Sequence, residues 1–338
     1  MADTREPKDV VLKTTRSRLD RLGDPSLRLV TFAAAALAVT TLVLIAYELV
    51  QGSRLAIGHF GLNFLVTQVW DTNHAQFGAL SLILGTLVTA GLAIAIATPI
   101  AIAIALFLTE LAPKPVRVTI GALVEMLAAI PSVILGLWGI LVLGPVMQHQ
   151  IEPFLSSTLG FLPFFQGQPS STGVLSAVLI LTIMVVPIVA SVARELFATA
   201  PPELREGALA LGATRWEMVR GVLLPAARPG ILAAVALGFG RAVGEAIAVT
   251  QVIGGLTAIH LSLFKGGDTL GSRIAEQYVG AETPLQTSSL IYLALILLVI
   301  SLVVNFAAQL LIRPIDLRPR RRRIALDRVL ETQGMSAD

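Results

Sequence analysis

The sequence has no cysteine among its 338 residues, and only 14% of them are charged. The missing cysteine excludes disulfides, thiolate metal sites and a cysteine nucleophile. The scarcity of charge excludes an ordinary soluble protein, because a chain of this size needs far more polar surface to meet water. Lysine occurs only at Lys8, Lys13, Lys114 and Lys265, and none of them follows glycine in the G-x-x-x-x-G-K-[ST] pattern of a phosphate loop. If ATP drives any activity, another chain must bind it. The four histidines, His59, His74, His149 and His260, are scattered through polar connecting segments without metal-ligand spacing. No metal site and no catalytic group is expected.

What is present is apolar: 55% of the residues are hydrophobic, and the mean hydropathy is +0.79. Runs long enough to cross about 30 Å of hydrocarbon occur six times, at 27–50, 78–108, 120–147, 173–196, 230–255 and 289–312. The predicted fold class is therefore all-α, a polytopic membrane protein with about six transmembrane helices. Residues 1–26 are polar and mixed in charge, and the run after them is of spanning length. It is expected to stay as a first helix rather than be cleaved as a signal peptide.

Charge placement gives direction. Lysine and arginine number seven through Arg28, two in 109–119, five in 193–229 and seven in 313–338. The alternate segments 51–77, 148–172 and 256–288 hold one, none and two. Under the positive-inside rule both termini face the cytoplasm. The expected order is a cytoplasmic tail (1–26), a first helix (27–50), an external loop (51–77), a core (78–312) and a basic tail (313–338). The run "RPRRRR" at 318–323 reads as a topology anchor that meets anionic lipid, not as a nucleic-acid patch.

Inside the fifth run the sequence reads "GFGRAVGEAIAVTQVIGG" and carries Arg241 and Glu245 four residues apart. A lone charge at the centre of a spanning helix costs roughly 2.5–3.5 kcal/mol on insertion scales. Counted from Gly230, Arg241 lies eleven residues into the run, roughly 16 Å deep at about 1.5 Å per residue. Glu245 falls one turn further on the same face, and Gly238, Gly240 and Gly244 leave room for a neighbouring helix. Three explanations stand open: a structural ion pair, a charged lining for a substrate path, or a carboxylate that holds the guanidinium until an anion arrives. Arginine suits an oxyanion because its planar fork binds two oxygens and never deprotonates. Glu245 has a further use in selectivity, since it can accept a proton-bearing oxygen, which phosphate has near neutral pH and sulfate lacks.

The third run contributes "AAIPSVILGLWG", in which Pro131 lies at a depth similar to that of Arg241. Proline frees a carbonyl, which a membrane tolerates against protein or a wet cavity. Ser132 adds a hydroxyl. A packing kink explains the same residues. Glu125, nearer the end of the run, is expected to reach the interface or cap a neighbouring helix.

Between the fourth and fifth runs lies "ELREGALALGATRWEMVRGVLLPAARPGI". Pro201 and Pro202 precede it, and Glu203 and Glu206 suit a helix amino terminus. Gly212 interrupts the helical pattern, which resumes through Trp216 and Met218 and is expected to stop at Pro225. This is a short helix, a glycine turn and a second short helix, either a solvated linker or an element that docks on another protein.

The segment resembles the signature of the permease subunits of binding-protein-dependent ABC importers: Glu-Ala-Ala, three residues, Gly, nine residues, then Ile-x-Leu-Pro. Here it reads Glu206-Gly207-Ala208, Gly212, then Val222-Leu223-Leu224-Pro225, with Gly207 and Val222 as modest departures. The resemblance implies the type I permease fold of these importers. It also implies a coupling segment (203–225) in which Glu206, Gly207, Ala208, Gly212, Trp216, Leu224 and Pro225 seat on an ATPase subunit. "AAIPSVILGLWG", "GRAVGEAIAVTQVIGG" and "TLGSRIAEQYVGAE" at 269–282 are similar to the phosphate-specific transport permeases, and more to the PstC type than to the PstA type. The family pattern usually has Thr where this chain has Ala246.

By that resemblance the substrate is phosphate, and its path includes Arg241, Glu245, Ser132 and Pro131. The implied partners are a second permease subunit of the PstA type, a PstB-type ATPase dimer carrying ATP and Mg, an external PstS-type phosphate-binding protein and membrane lipid. No nucleic acid is implied. A related oxyanion permease, for molybdate or sulfate, is the nearest alternative. A passive anion channel has no use for an ATPase dock, and an intramembrane enzyme lacks a constellation, since no His or Lys accompanies Ser132 in any span. The segment 148–172 has no basic residue and carries Phe154, Phe161, Phe164 and Phe165, which suit a re-entrant turn, interfacial burial or a docking surface.

Overall fold

The computed structural model describes residues 18–316, with side chains for 26–310. The basic run at 318–323 and the first part of the amino-terminal tail lie outside the described residues. The chain divides into two compact units, Met1–Gln51 and Gly52–Asp338. The first is described by most of helix α1 (Arg18–Phe60), whose apolar side chains, Leu27, Leu37 and Leu44 among them, are exposed.

The second unit begins within α1 and continues through α2 (Asn63–Val66) and a small antiparallel hairpin, β1 (Trp70–Asp71) and β2 (Gln76–Phe77). The Asp71 carboxylate closes the hairpin turn by accepting from the Asn73 and His74 N–H groups at 2.9 and 3.2 Å. Its bonds to His74 hold its carboxyl below the usual range. Helix α3 (Leu80–Leu106) ends in a π-helical turn, Phe107–Leu111, and α4 (Lys114–Ala128) follows. Next come α5 (Ser132–Trp138), α6 (Gly144–Val146) and α7 (Glu152–Leu159), which π turns join into one helical run, Ser132–Leu159. The remaining helices are α8 (Val174–Thr199), α9 (Pro202–Ala210), α10 (Arg215–Met218), α11 (Leu224–Val243), α12 (Ile247–Val252), α13 (Leu270–Gln277) and α14 (Pro284–Asp316).

Among the described residues, six helical runs are long and apolar enough to cross a membrane, as the apolar runs of the sequence predict. They are packed by small side chains. Ala90, Ala93, Ala97, Ala101 and Ala105 recur at helical spacing along α3, and all are fully buried. Most of this stripe shares a core cluster with Val178, Leu181, Val185 and Val189 of α8, and Ala105 shares another with Ala193 and Phe197. Within lipid, apolar burial gives little net gain, so close van der Waals contact between small and branched residues carries the packing. Gly238 of α11 extends it, because an added Cβ there would stand 2.9 Å from the Val185 and Val189 side chains.

Several boundaries differ from the sequence reading: α1 runs on to Phe60 into the expected loop 51–77, the helical run of the fifth span begins at Arg215 rather than 230, and proline and glycine mark the breaks in the third and fifth spans. The third span is not continuous from 120 to 147. Helix α4 ends at Ala128, and a new helix starts at Ser132 after Pro131 adopts an extended conformation. That helix runs on to Leu159, so residues 148–159, expected in a loop, extend the span instead. The fifth span, expected over 230–255, breaks at Gly244–Ala246. Pro225 does not stop its helix. A π turn, Val219–Leu223, precedes it, and Pro225 falls in the first turn of α11. The shifted hydrogen-bond register there leaves a place for a residue without an N–H.

Candidate functional site

Arg241 occupies the last turn of α11, and Glu245 follows the break that Gly244 makes. Their side chains meet at 3.2 Å, with that of Arg241 50% exposed and that of Glu245 5%. Glu245 uses both oxygens. Oε2 faces Arg241, and Oε1 accepts from the Ala248 N–H at 3.2 Å, in the first turn of α12. The carboxylate therefore caps one half-helix while it holds the arginine on the other. The glutamate is enclosed by this chain, and the guanidinium projects from it.

Helix α5, which begins at Ser132 after Pro131, packs against α12. An added Cβ on Gly136 would lie 2.9 Å from the Ala248 Cα, and one on Gly139 would lie 2.8 Å from the Val252 side chain. Both positions advance together, so α5 and α12 run parallel. Ser132 opens the helical run Ser132–Leu159, where N–H groups have no intrahelical partner and the helix dipole is positive. Ser132 is half-buried and Pro131 exposed.

The segment between α12 and α14 closes on this break. Gly271 of α13 is the point of contact, where an added Cβ would be 3.1 Å from the Glu245 carbonyl oxygen and 3.2 Å from the Ala246 Cβ. A buried ion pair that the sequence reading missed anchors α13. Asp268 pairs with Arg273, and their side chains are 1% and 7% exposed. Asp268 also accepts from the Thr269 N–H at 2.8 Å and from the Ser272 hydroxyl. Arg273 donates to the Gly255 carbonyl at 3.1 Å and lies 6.0 Å from the centroid of the Trp70 ring. Burial pushes the Asp268 carboxyl above its ordinary value, with Arg273 and the hydrogen bonds opposing.

A charged cleft lies between α4 and α8. Arg117, Gly121 and Glu125 fall on one stripe of α4, and Arg194 of α8 crosses Gly121 to pair with Glu125. This reach from a neighbouring helix satisfies the glutamate that the sequence reading left between the interface and a cap. The cleft measures about 710 Å³ and is also lined by Ser191, Glu195 and Arg205.

The segment 203–225 forms one short helix, α9, then a turn, then the start of a continuous helical run Arg215–Val243, in place of the second short helix expected from the sequence. Gly212 sits at φ +84°, a conformation that glycine adopts without strain. Thr214 then starts α10 with a capping box: its hydroxyl accepts from the Glu217 N–H at 3.3 Å, and its N–H donates to the Glu217 carboxylate at 2.8 Å. The Thr-x-x-Glu spacing was legible in the sequence and unused. Glu206 and Gly207 are exposed, and a Cβ on Gly207 would meet nothing within 4 Å, so its departure from alanine removes no contact. Ala208 and Leu224 pack partly into the cluster of Phe197, Met218 and Leu223, and Pro225 is half-buried. Trp216 is 65% exposed and Leu211 90%, leaving an apolar surface on the turn and second helix.

The family described as "Binding-protein-dependent transport system inner membrane component" matches residues 97–316. The "Phosphate transport system permease protein PstC" of Haemophilus influenzae is 45% identical over 82% of this chain and 89% of its own length. That of Mesorhizobium japonicum is 42% identical over 88% and 92%, and PstC 2 of Mycobacterium tuberculosis 38% over 86% and 91%. Among solved structures, a bacterial alginate ABC transporter in complex with an alginate pentasaccharide-bound periplasmic protein superposes with a TM-score of 0.58 at 18% identity, covering 85% of this chain and 94% of the other. At that identity it speaks to the fold, that of an ABC importer permease. With the family matched over most of its length, the chain is a multi-pass inner-membrane protein and belongs to the binding-protein-dependent transport system inner membrane components, among the PstC permeases.

Proposed function

We propose that this chain is a permease subunit of an ATP-driven importer of inorganic phosphate, and that Arg241 is its point of contact with the anion in transit. The observation that carries this is the unequal exposure of the charged pair: a half-exposed guanidinium held from behind by an enclosed carboxylate, at the break of a spanning helix. Glu245 lowers the cost of burying Arg241 while the path is empty. Ser132 and Pro131, at the start of α5, would add a hydroxyl and a positively polarised helix end to the path. The relatives named for phosphate transport support the choice of anion.

On this reading a PstA-type subunit lines the opposite wall of the path, and a PstS-type binding protein delivers phosphate from outside. A PstB-type ATPase dimer, with ATP and Mg, docks on 203–225 through Trp216, Glu206, Gly207 and the Gly212 turn. Ala208, Leu224 and Pro225 brace that surface from within. Membrane lipid surrounds the spans, and no nucleic acid is involved. Both termini face the cytoplasm, because the basic residues crowd the segments on that side. Alternating access then follows from closure of the ATPase.

The test is ATP-dependent uptake of radiolabelled phosphate by the reconstituted complex, with excess sulfate as competitor and Arg241→Gln as the variant. Concentrative uptake that resists sulfate and fails in the variant, while the ATPase still binds, is the expected result. Normal uptake by the assembled variant would remove Arg241 from the path. Uptake of a different oxyanion by the native complex would remove phosphate.

A further inference from the structure

Both halves of the docking element are fastened to one residue of α3's terminal π turn. The Glu110 carboxylate pairs with Arg205 of α9 at 3.1 Å. The Glu110 backbone carbonyl accepts from Arg215 Nη1 of α10 at 3.2 Å. Arg205 also donates to the Phe197 carbonyl near the end of α8. Three elements of the core and dock thus converge on one guanidinium, whose side chain is 24% exposed against 14% for its glutamate. Its neighbours on α9, Glu203, Leu204, Glu206 and Gly207, are exposed. Arg205 is the charged residue of α9 that points inward.

The apolar contacts around it, Met218, Val219 and Leu223 against Ala105, Ala193 and Phe197, are non-directional and permit sliding. The pair is directional. An ion pair adds little net stability whether exposed or buried, so stability alone gives no reason for its place. It is also incompletely satisfied. Glu110 Oε1 and Arg205 Nε are both buried without a hydrogen-bond partner, although the charges lie in contact. A small shift of α9 against α3 would engage this unused capacity as a two-bond fork.

We propose that Glu110 and Arg205 form the strut that transmits movement of the docking element to α3 and α8, loose in the present arrangement and drawn into a hydrogen-bonded fork when the ATPase closes. Both are positioning residues, remote from the anion. The inference rests on the reading of 203–225 as an ATPase dock. It adds which residues carry the motion inward and in which state they engage.

The experiment measures ATP hydrolysis and phosphate accumulation together in the reconstituted complex with its binding protein. Glu110→Gln keeps shape and removes the charge. Glu110→Arg combined with Arg205→Glu restores the pair in reverse. Glu110→Gln is expected to retain the ATPase on purification and hydrolyse ATP within about twofold of the native basal rate, while phosphate moved per ATP falls at least tenfold. The reversed pair should recover at least a third of the native ratio. A native ratio in Glu110→Gln overturns the proposal, as does loss of the ATPase from that variant, which would make the pair a fastening of the dock only. No recovery in the reversed pair also counts against it. A native complex that binds no ATPase would overturn the functional reading, and the strut with it.

Discussion

Arg241 and Glu245 form an ion pair in which the two partners face different surroundings: the glutamate is enclosed by its own chain and the arginine projects from it. In a purely structural pair the carboxylate would gain most by enclosing both charges. Here its second oxygen is spent on the first turn of α12, so the pair ties the two halves of a broken helix and leaves one face of the guanidinium free for another ligand. Truncating one partner of a buried charge contact typically costs about 2–5 kcal/mol. Arg241→Gln is therefore expected to lower phosphate uptake by roughly 30-fold or more, with the assembled complex intact. Arg241→Lys should recover only part, because a point charge replaces a planar fork. Initial uptake rates for the three proteins check the order.

Glu245→Gln separates holding from recognition. A glutamine keeps an acceptor for the Ala248 N–H but withdraws the charge that holds Arg241. The sequence suggests that Glu245 favours phosphate over sulfate, but both of its oxygens are engaged within the chain, so uptake should fall while that preference is kept. Competition assays at matched concentrations decide it. A lost preference would mean that the carboxylate turns to the substrate and accepts its proton-bearing oxygen.

The exposed surface of the 203–225 element gives a prediction on assembly. Trp216 stands out from α10, and exposed aromatic anchors of this kind are often worth about 2 kcal/mol or more at an interface. Trp216→Ala is expected to weaken capture of the ATPase by on the order of 30-fold without changing insertion of the permease. Gly212→Ala acts differently. It places a Cβ at φ +84°, costing about 1–2 kcal/mol in the turn, and should tilt the two helices rather than remove a contact. Titration of the purified ATPase onto each variant in nanodiscs separates the two.

The features legible in the sequence are those that depend on local composition. Six apolar runs correspond to six spanning helices, and the charges four residues apart do meet, but across the break at Gly244 rather than along one continuous helix. The glycine turn at Gly212 was equally local. Features set by pairing across the chain were not legible. Glu110 and Arg205 are ninety-five residues apart, and nothing in either neighbourhood marks them as partners. Nothing in the sequence around Asp268 and Arg273 marks them as buried, because their burial depends on α13 packing onto Ala246. Pro225 was misread for a different reason. Its effect on a helix depends on whether the register shifts before it, and the π turn that does so has no sequence signal of its own.

The Asp268–Arg273 pair gives the last prediction, on the segment that closes over the break. Removing one partner of a buried pair commonly costs about 3–5 kcal/mol, because the other is left uncompensated. Arg273→Met is therefore expected to loosen α13 more than Asp268→Asn, which keeps acceptors for Thr269 and Ser272. The pH dependence follows from the raised Asp268 carboxyl. A folded-state value above the unfolded one means that the folded segment binds the proton more tightly. Its contribution to stability therefore falls as pH rises from the ordinary carboxylate range through the folded value, and is flat above it. In the native protein Arg273 opposes the rise and keeps the decline shallow. In Arg273→Met the carboxylate must be buried without that cation, so the decline should be steeper and extend to higher pH. Hydrogen exchange of the α13 amides, corrected for intrinsic rates across pH, reads this directly. Equal slopes in native and variant protein would show that Arg273 does not govern the protonation of Asp268.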